Sequence, residues 1–158
     1  MKQYIKRFDE LSTAELYEIL KLRNAVFIVE QNCAYQDIDG LDETAYHMWL
    51  EDENGIAAYV RLLPPGVRFE DSVIGRVIAV RRRSGVGSQI VRAAQSAVRE
   101  VFGADSVTIE AQVYAREFYE KLGFVQQSGE FDEDGIPHIL MRWTANKLSD
   151  SCLMYLTS

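Results

Sequence analysis

Thiols are scarce in this 158-residue chain, which holds two cysteines, Cys33 and Cys152. They lie far apart and neither belongs to a CxxC motif. A disulfide framework is therefore excluded, and reduced thiols are expected. Histidine is as rare. His47 and His138 stand alone, with no second histidine at helical spacing and no thiolate partner, which speaks against a zinc site. No apolar run reaches the length that spans a bilayer. The first residues, MKQYIKRFDE, lack the apolar stretch of a secretory signal. A cytoplasmic protein without a membrane partner is the expectation. Positive charge is also short: 17 Lys and Arg face 24 Asp and Glu, for a net charge of −7. Affinity for nucleic acid comes mostly from neutralising phosphates, so such a chain is a poor general binder of it. It is better suited to a cationic ligand such as an amine.

What is present is an ordinary globular composition, 47% apolar and 26% charged. One domain with a real core is expected. Residues 3–8 read as a first strand. Ser12 and Glu15 form a capping box ahead of a helix carrying Leu16, Ile19, Leu20 and Val26 at helical spacing. That helix is expected to break before a second helical piece around residues 27–31. Residues 32–44 read as a polar loop with Asp37, Asp39 and Asp42. The acidic spacing hints at a calcium loop, but Leu41 and Asp42 occupy positions that need an oxygen ligand and a glycine, so no metal is expected. The open readings of this loop are a solvated segment and a lure for cationic substrate.

Strands are expected over 46–51 and 56–63, joined by the hairpin turn Asn54-Gly55. A strand at 73–80, a helix at 88–101 and a strand at 106–110 follow. A helix at 114–122 stops at Gly123, and strands at 124–126 and 138–143 finish the pattern. The order is β-α-α-β-β-β-α-β-α-β-β, an α/β domain on one mixed sheet.

The richest segment is Val77-Ile-Ala-Val-Arg-Arg82-Arg-Ser-Gly85-Val-Gly87. A β-branched strand empties into an Arg- and Gly-rich turn, and a helix begins. The first N–H groups of a helix have no internal partner, and the helix dipole makes that end positive. Such a turn holds phosphate. The Arg81, Arg82 and Arg83 cluster reads as its counter-charge. A P-loop is excluded because Ser88-Gln89 follows Gly87 where Lys and Ser or Thr are needed. A dinucleotide fingerprint is excluded because Ile90 stands where a third glycine belongs.

The remaining spelling, Val77, Arg82, Gly85 and Gly87, resembles the acetyl-CoA signature of the GCN5-related N-acetyltransferases (GNAT). A second segment, Ala115-Arg-Glu-Phe118-Tyr119-Glu-Lys-Leu-Gly123-Phe124, resembles a helix and strand of the same family. Three more segments resemble its ElaA-like branch: Arg23 to Gln31, Asp37 to Asp42 with His47, and Glu133 to His138. The similarity runs over about residues 11–141. It implies a central, mixed, mostly antiparallel sheet flanked by helices. It also implies one acetyltransferase domain over 1–143, with 144–158 as a C-terminal extension. Leu148, Leu153, Met154, Tyr155 and Leu156 in that extension suggest a contact with a second subunit.

The resemblance further implies acetyl-CoA as cosubstrate and a small-molecule or peptide amine as acceptor. The backbone of Val77, Ile78 and Ala79 would pair with the pantetheine arm. Arg82, Arg83, Ser84, Gly85, Val86, Gly87 and Ser88 would hold the pyrophosphate. Gln112 stands where many relatives carry an Asn that touches CoA. Arg83 departs from the family, whose members have glycine after the motif Arg. An arginine there is expected to adopt a backbone conformation open to any side chain. Tyr119 matches the family's tyrosine near the thioester sulfur and would protonate the leaving thiolate. The ammonium proton could pass to a carboxylate or a water chain, with Glu110 on the central strand, Glu30, and Glu133 or His138 as candidates, or need no base if the site selects the neutral amine. Glu30 and His138 would otherwise line the acceptor site. The implied activity is direct acetyl transfer to a primary amine. The alternative is an inactive CoA-binding sensor or interaction module of the same fold.

Overall fold

The computed structural model of the protein describes residues 1–81 and 83–146. Arg82, Cys152 and the expected subunit contact beyond Asn146 lie outside the described residues. Strands β1 (Lys2–Arg7), β2 (Tyr46–Asp52), β3 (Gly55–Leu63), β4 (Ser72–Ala79), β5 (Ser106–Gln112), β6 (Val125–Gln126), β7 (Phe131–Glu133) and β8 (Ile136–Thr144) form one sheet. Its order is β1-β2-β3-β4-β5-β8-β6, with β7 paired to β8. Every pairing is antiparallel except β4 with β5.

The period-two alternation of a strand decides which residues meet which helix. Met48, Leu50, Ala58, Val60 and Leu62 face helix α2 (Val86–Phe102) and pack on Ile90, Val91, Ala94 and Val98. Their neighbours Trp49 and Tyr59 point the other way, toward Ile19 and Leu22 of helix α1 (Thr13–Arg23). The two long helices therefore cover opposite faces of the sheet. Helix α1 begins as its sequence requires: Ser12 Oγ accepts from Glu15 N at 3.0 Å, and Glu15 Oε1 accepts from Ser12 N at 2.8 Å. Helix α2 ends at Gly103, whose left-handed conformation (φ 63°) lets its N–H reach the Arg99 carbonyl at 3.0 Å.

The structure departs from expectation in four places. The first helix does not break; it widens into a π-helical segment, Asn24–Glu30, with Gln31 N bonded to Val26 O and Cys33 N to Ile28 O. The helix expected at 114–122 is a 3-10 turn, Val113–Ala115, followed by the short helix α3 (Arg116–Glu120). The short strand β7 is additional, and β8 starts two residues early, through Pro137. Finally, the loop at 32–44 is solvated only in part: Asp37 and Asp42 are buried in ion pairs described below, while Asp39, Gly40 and Glu43 stay exposed.

The decisive feature is where β4 and β5 part. Their parallel pairing is recorded only at Ser72 with Val107 and Val73 with Thr108. Opposite β3, Arg61 faces Gly75 and Tyr59 faces Ile78, so Arg76 and Val77 together oppose Val60. This is a β-bulge, and Arg76 takes a left-handed φ of 50° to make it. The bulge bends β4 away from β5 and opens a cleft in the middle of the sheet.

Candidate active site

The cleft has a volume of about 1380 Å³. One wall is the unpaired edge of β4 at Val77, Ile78 and Ala79. The facing wall is Glu110, Ala111 and Gln112 of β5. Phe118 and Tyr119 of α3 close one end with the start of α2. Val26, Phe27 and Glu30 of the π-helical segment, Arg68, and Glu133 and His138 from the β7–β8 hairpin close the other. The wider π turn re-aims side chains that an α-helix would have rotated elsewhere, a use of π segments common near sites.

Most of the residues singled out in the sequence line this space: Val77, Ile78, Ala79, Arg83, Gly85, Gly87, Ser88, Gln112, Tyr119, Glu110, Glu30 and His138. Ser84 and Val86 do not. Ser84 Oγ donates to the Arg81 carbonyl at 2.6 Å and braces the turn from behind. Val86 turns inward and is 7% exposed in the core. Gly85 (φ 84°) is the residue before α2, and the first bond of that helix runs from Gln89 N to Gly85 O at 3.1 Å. The N–H groups ahead of Gln89 have no partner within the helix. Arg83 takes the least favoured of the conformations open to a residue with a side chain. Its φ is 63°, in the narrow left-handed region that glycine enters without cost. Arg81 is drawn aside into an ion pair with Asp52.

Tyr119 packs edge-on against Phe118 and Phe124, with ring centroids 5.0 and 5.6 Å away. Burial, with a smaller contribution from Tyr114, pushes its phenol above the usual tyrosine range. The hydroxyl thus stays protonated, as a proton donor must. Gln112 reaches across the cleft, its Nε2 3.4 Å from Gln31 Oε1.

At the other end sits a carboxyl cluster. Arg68 donates to Glu110 Oε1 through Nε at 3.0 Å and Nη2 at 2.6 Å. Its Nη2 lies 3.6 Å from Glu133 Oε1. Burial first, then a hydrogen bond and charge repulsion from Glu110, raise the Glu133 pKa. His138 donates from Nδ1 to the Ile136 carbonyl at 2.7 Å, which leaves Nε2 3.8 Å from Glu133 Oε2.

A buried ionic network forms the floor beside this cluster. Arg23, 0% exposed, donates Nε to Asp37 at 3.0 Å and Nη1 to Asp42 at 2.6 Å. Arg61 forks onto Asp39 with both contacts at 2.8 Å and reaches Asp42 at 3.1 Å. Arg76, aimed by the bulge, meets Asp37 at 2.7 Å. His47 closes the network from below, bonded to Tyr59 Oη at 2.7 Å and the Asp42 carbonyl at 2.9 Å. Burial holds its pKa below the ordinary imidazole range, so it is a neutral structural group. Sequence reasoning missed this network. Its signal was present in Arg23 falling on the same helix face as Ile19, and in Arg61 inside an otherwise apolar strand. Among the described residues no group of His, Cys, Asp and Glu is placed to hold a metal ion.

A strand splayed from its neighbour, ending in a glycine turn and a helix N-terminus, is the architecture that the two sequence motifs implied. The Acetyltransferase (GNAT) domain family model matches residues 11–145. The chain belongs to the GNAT acetyltransferase family. Within it, the protein ElaA of Escherichia coli (strain K12) is 41% identical over 139 residues, covering 84% of this chain and 90% of ElaA. The crystal structure of E. coli ElaA matches with a TM-score of 0.83 and 37% identity, over 90% of this chain and 98% of that one. A crystal structure of an acyl-CoA N-acyltransferase from Pseudomonas aeruginosa matches with a TM-score of 0.82 and 37% identity, over 91% and 100% of the respective chains. The GNAT acyl-CoA N-acyltransferase fold, a mixed sheet of mostly antiparallel strands flanked by helices, is thus the fold expected from the resemblance.

Proposed function

We propose that this GNAT protein moves an acetyl group from acetyl-CoA to a primary amine by direct attack. The observation that carries the reading is the cleft itself. It joins the open edge of β4, the glycine turn before α2 and the Tyr119 hydroxyl in one continuous space. Within the Val77, Ile78 and Ala79 edge, Ile78 pairs with Tyr59 of β3, and the backbone groups of Val77 and Ala79 point to the open side, which suits the amides of pantetheine. The unpartnered N–H groups of the first turn of α2, flanked by Arg83, suit the pyrophosphate. Gln112 would contact the arm from the opposite wall. Tyr119, kept protonated by burial, would supply the proton that the leaving thiolate needs. The acceptor amine would enter from the end lined by Glu30, Glu110, Glu133 and His138, with a carboxylate of that cluster taking its proton.

Calorimetric titration with acetyl-CoA, with ATP and NAD as controls, tests the first half of the reading. Micromolar binding of acetyl-CoA alone supports it, and no binding overturns it. Release of free CoA thiol in the presence of primary amines tests the second half. Binding without release on any amine would make the protein a CoA-binding module and overturn the transferase reading.

A further inference from the structure

Resting on the transferase reading, we propose that Glu133 on the β7–β8 hairpin, and not Glu110 on the central strand, is the group that accepts the proton of the incoming ammonium. The two carboxyls share one corner of the cleft, yet their surroundings assign them different work. Glu110 gives a single oxygen to two donors of the Arg68 guanidinium, at 3.0 and 2.6 Å. A carboxylate held by charge-assisted bonds of that kind is a poor base, since protonation would forfeit both bonds. Glu133 meets the same guanidinium only at 3.6 Å, outside hydrogen-bonding distance. Its side chain is 36% exposed against 17% for Glu110, so it reaches the open cleft where a substrate enters.

Glu110 then acts on Glu133. Partial burial raises the Glu133 pKa first, and the Glu110 carboxyl beside it adds a hydrogen bond and a negative charge that both favour the protonated form further. This brings it nearer neutrality, where a base both exists in its ionised form and holds a proton well. The other groups around it are Arg68 opposite, Asp132 and Asp134 beside it on the hairpin, His138 on β8, and Cys33, whose thiol donates to the Asp134 carbonyl at 3.2 Å. His138 supplies the way out. With Nδ1–H committed to the Ile136 carbonyl, its Nε2 lies 3.8 Å from Glu133 Oε2, so the proton would reach it through a bridging water and go on to solvent.

The step balances. The ammonium gives one proton to Glu133, and the freed nitrogen lone pair forms the new C–N bond. The C–S bond breaks with its electrons on sulfur. Sulfur takes the Tyr119 proton, and the second proton lost from nitrogen restores the phenol. The proton on Glu133 leaves through His138. Glu110 and Arg68 do not touch the transferred proton; they are positioning residues.

The test compares Glu133→Gln and Glu110→Gln with the wild type. CoA release is followed against pH with butylamine, spermidine and Nα-acetyl-lysine as acceptor probes. For Glu133→Gln, kcat/KM on the best acceptor is expected to fall about a hundredfold at neutral pH, with the acidic limb of the profile gone. Acetyl-CoA affinity by calorimetry should be unchanged, which a merely unfolded variant would not show. For Glu110→Gln, the acidic limb is expected to remain but move to lower pH, because the neighbouring charge is gone. A carboxyl NMR titration of the same proteins, which needs no turnover, should show Glu133 titrating above the usual glutamate range in the wild type and closer to that range in Glu110→Gln, where burial alone still raises it. An acidic limb retained in Glu133→Gln, or one abolished only in Glu110→Gln, would overturn the assignment. Absence of turnover by the wild type on every probe would instead overturn the transferase reading beneath it.

Discussion

Replacing Arg23 by methionine should destabilise the protein far more than the loss of any surface ion pair. Arg23 is fully buried and donates to Asp37 Oδ2 at 3.0 Å, to the Asp37 carbonyl at 3.0 Å and to Asp42 Oδ1 at 2.6 Å. Methionine fills much the same volume, so no large cavity is made. The cost lies in two buried carboxylates that lose a counter-charge. Removing one partner from a buried pair typically costs about 3–5 kcal/mol. Here each carboxylate keeps another cation, Asp37 with Arg76 at 2.7 Å and Asp42 with Arg61 at 3.1 Å. The loss should therefore fall near the lower end, about 3 kcal/mol. At roughly 2–4 °C per kcal/mol for a chain of this size, Tm should drop by about 6–12 °C. Urea unfolding followed by circular dichroism gives the free energy directly. The control is Lys6→Met, which breaks the 2.8 Å pair with Glu15 where the two side chains are 32% and 24% exposed. That variant should lose no more than about 1 kcal/mol. Adding Asp42→Asn to Arg23→Met should cost clearly less than the sum of the two changes, since they share one interaction. A loss below about 1 kcal/mol for Arg23→Met, or full additivity, would refute the view that this loop is fixed by buried charge.

Three further outcomes are expected. Tyr119→Phe should lower kcat roughly ten- to a thousandfold while leaving acetyl-CoA affinity intact; unchanged turnover would remove the phenol from the mechanism. Asp71 is held at a pKa of about 2, first by its hydrogen bonds from Arg142, which with those from Ser106 and Thr108 outweigh the opposing effect of burial. A depressed carboxylate stabilises the fold above its unfolded pKa, so about 2 kcal/mol should be lost as pH falls from roughly 4 to 2; Asp71→Asn should flatten that part of the stability–pH curve, and an unaltered slope would contradict it. Arg83→Gly should relieve the left-handed strain at φ 63° and stabilise the protein by up to about 1 kcal/mol, read by urea titration; a clear loss of stability would mean that the arginine side chain contributes more to the turn than its backbone costs.

Much of this architecture was legible in the chain. The strands alternate Met48 and Leu50 against Trp49, and Val60 against Tyr59, because two cores must be filled from one sheet. The Ser12 and Glu15 box, the Asn54-Gly55 hairpin and the Gly123 stop are local physics that any neighbours would respect. The widening of the first helix at Asn24–Glu30 was not legible, since π and α hydrogen bonding leave nearly the same short-range pattern. Nor was the left-handed Arg83, because the turn's geometry is fixed by its two ends and overrides the residue's own preference.

The site divides the same way. The glycine turn ahead of α2 was legible locally, because a helix N-terminus presents its free N–H groups where the chain itself puts it, while Tyr119 was singled out by the family resemblance. The carboxyl cluster could not. Glu110, Glu133, Arg68 and His138 come from four separate segments, and sequence offers no reason to prefer one carboxylate over the other. Only the tertiary structure fastens Arg68 to Glu110 and leaves Glu133 facing the cleft. In the same way the acidic loop reads as solvated charge until folding buries Arg23 and Arg61 beneath it. Composition and period determined the layers, the core and the turn, since these depend on neighbours along the chain. Which charges are paired was decided only when distant segments were brought within a few ångströms of one another.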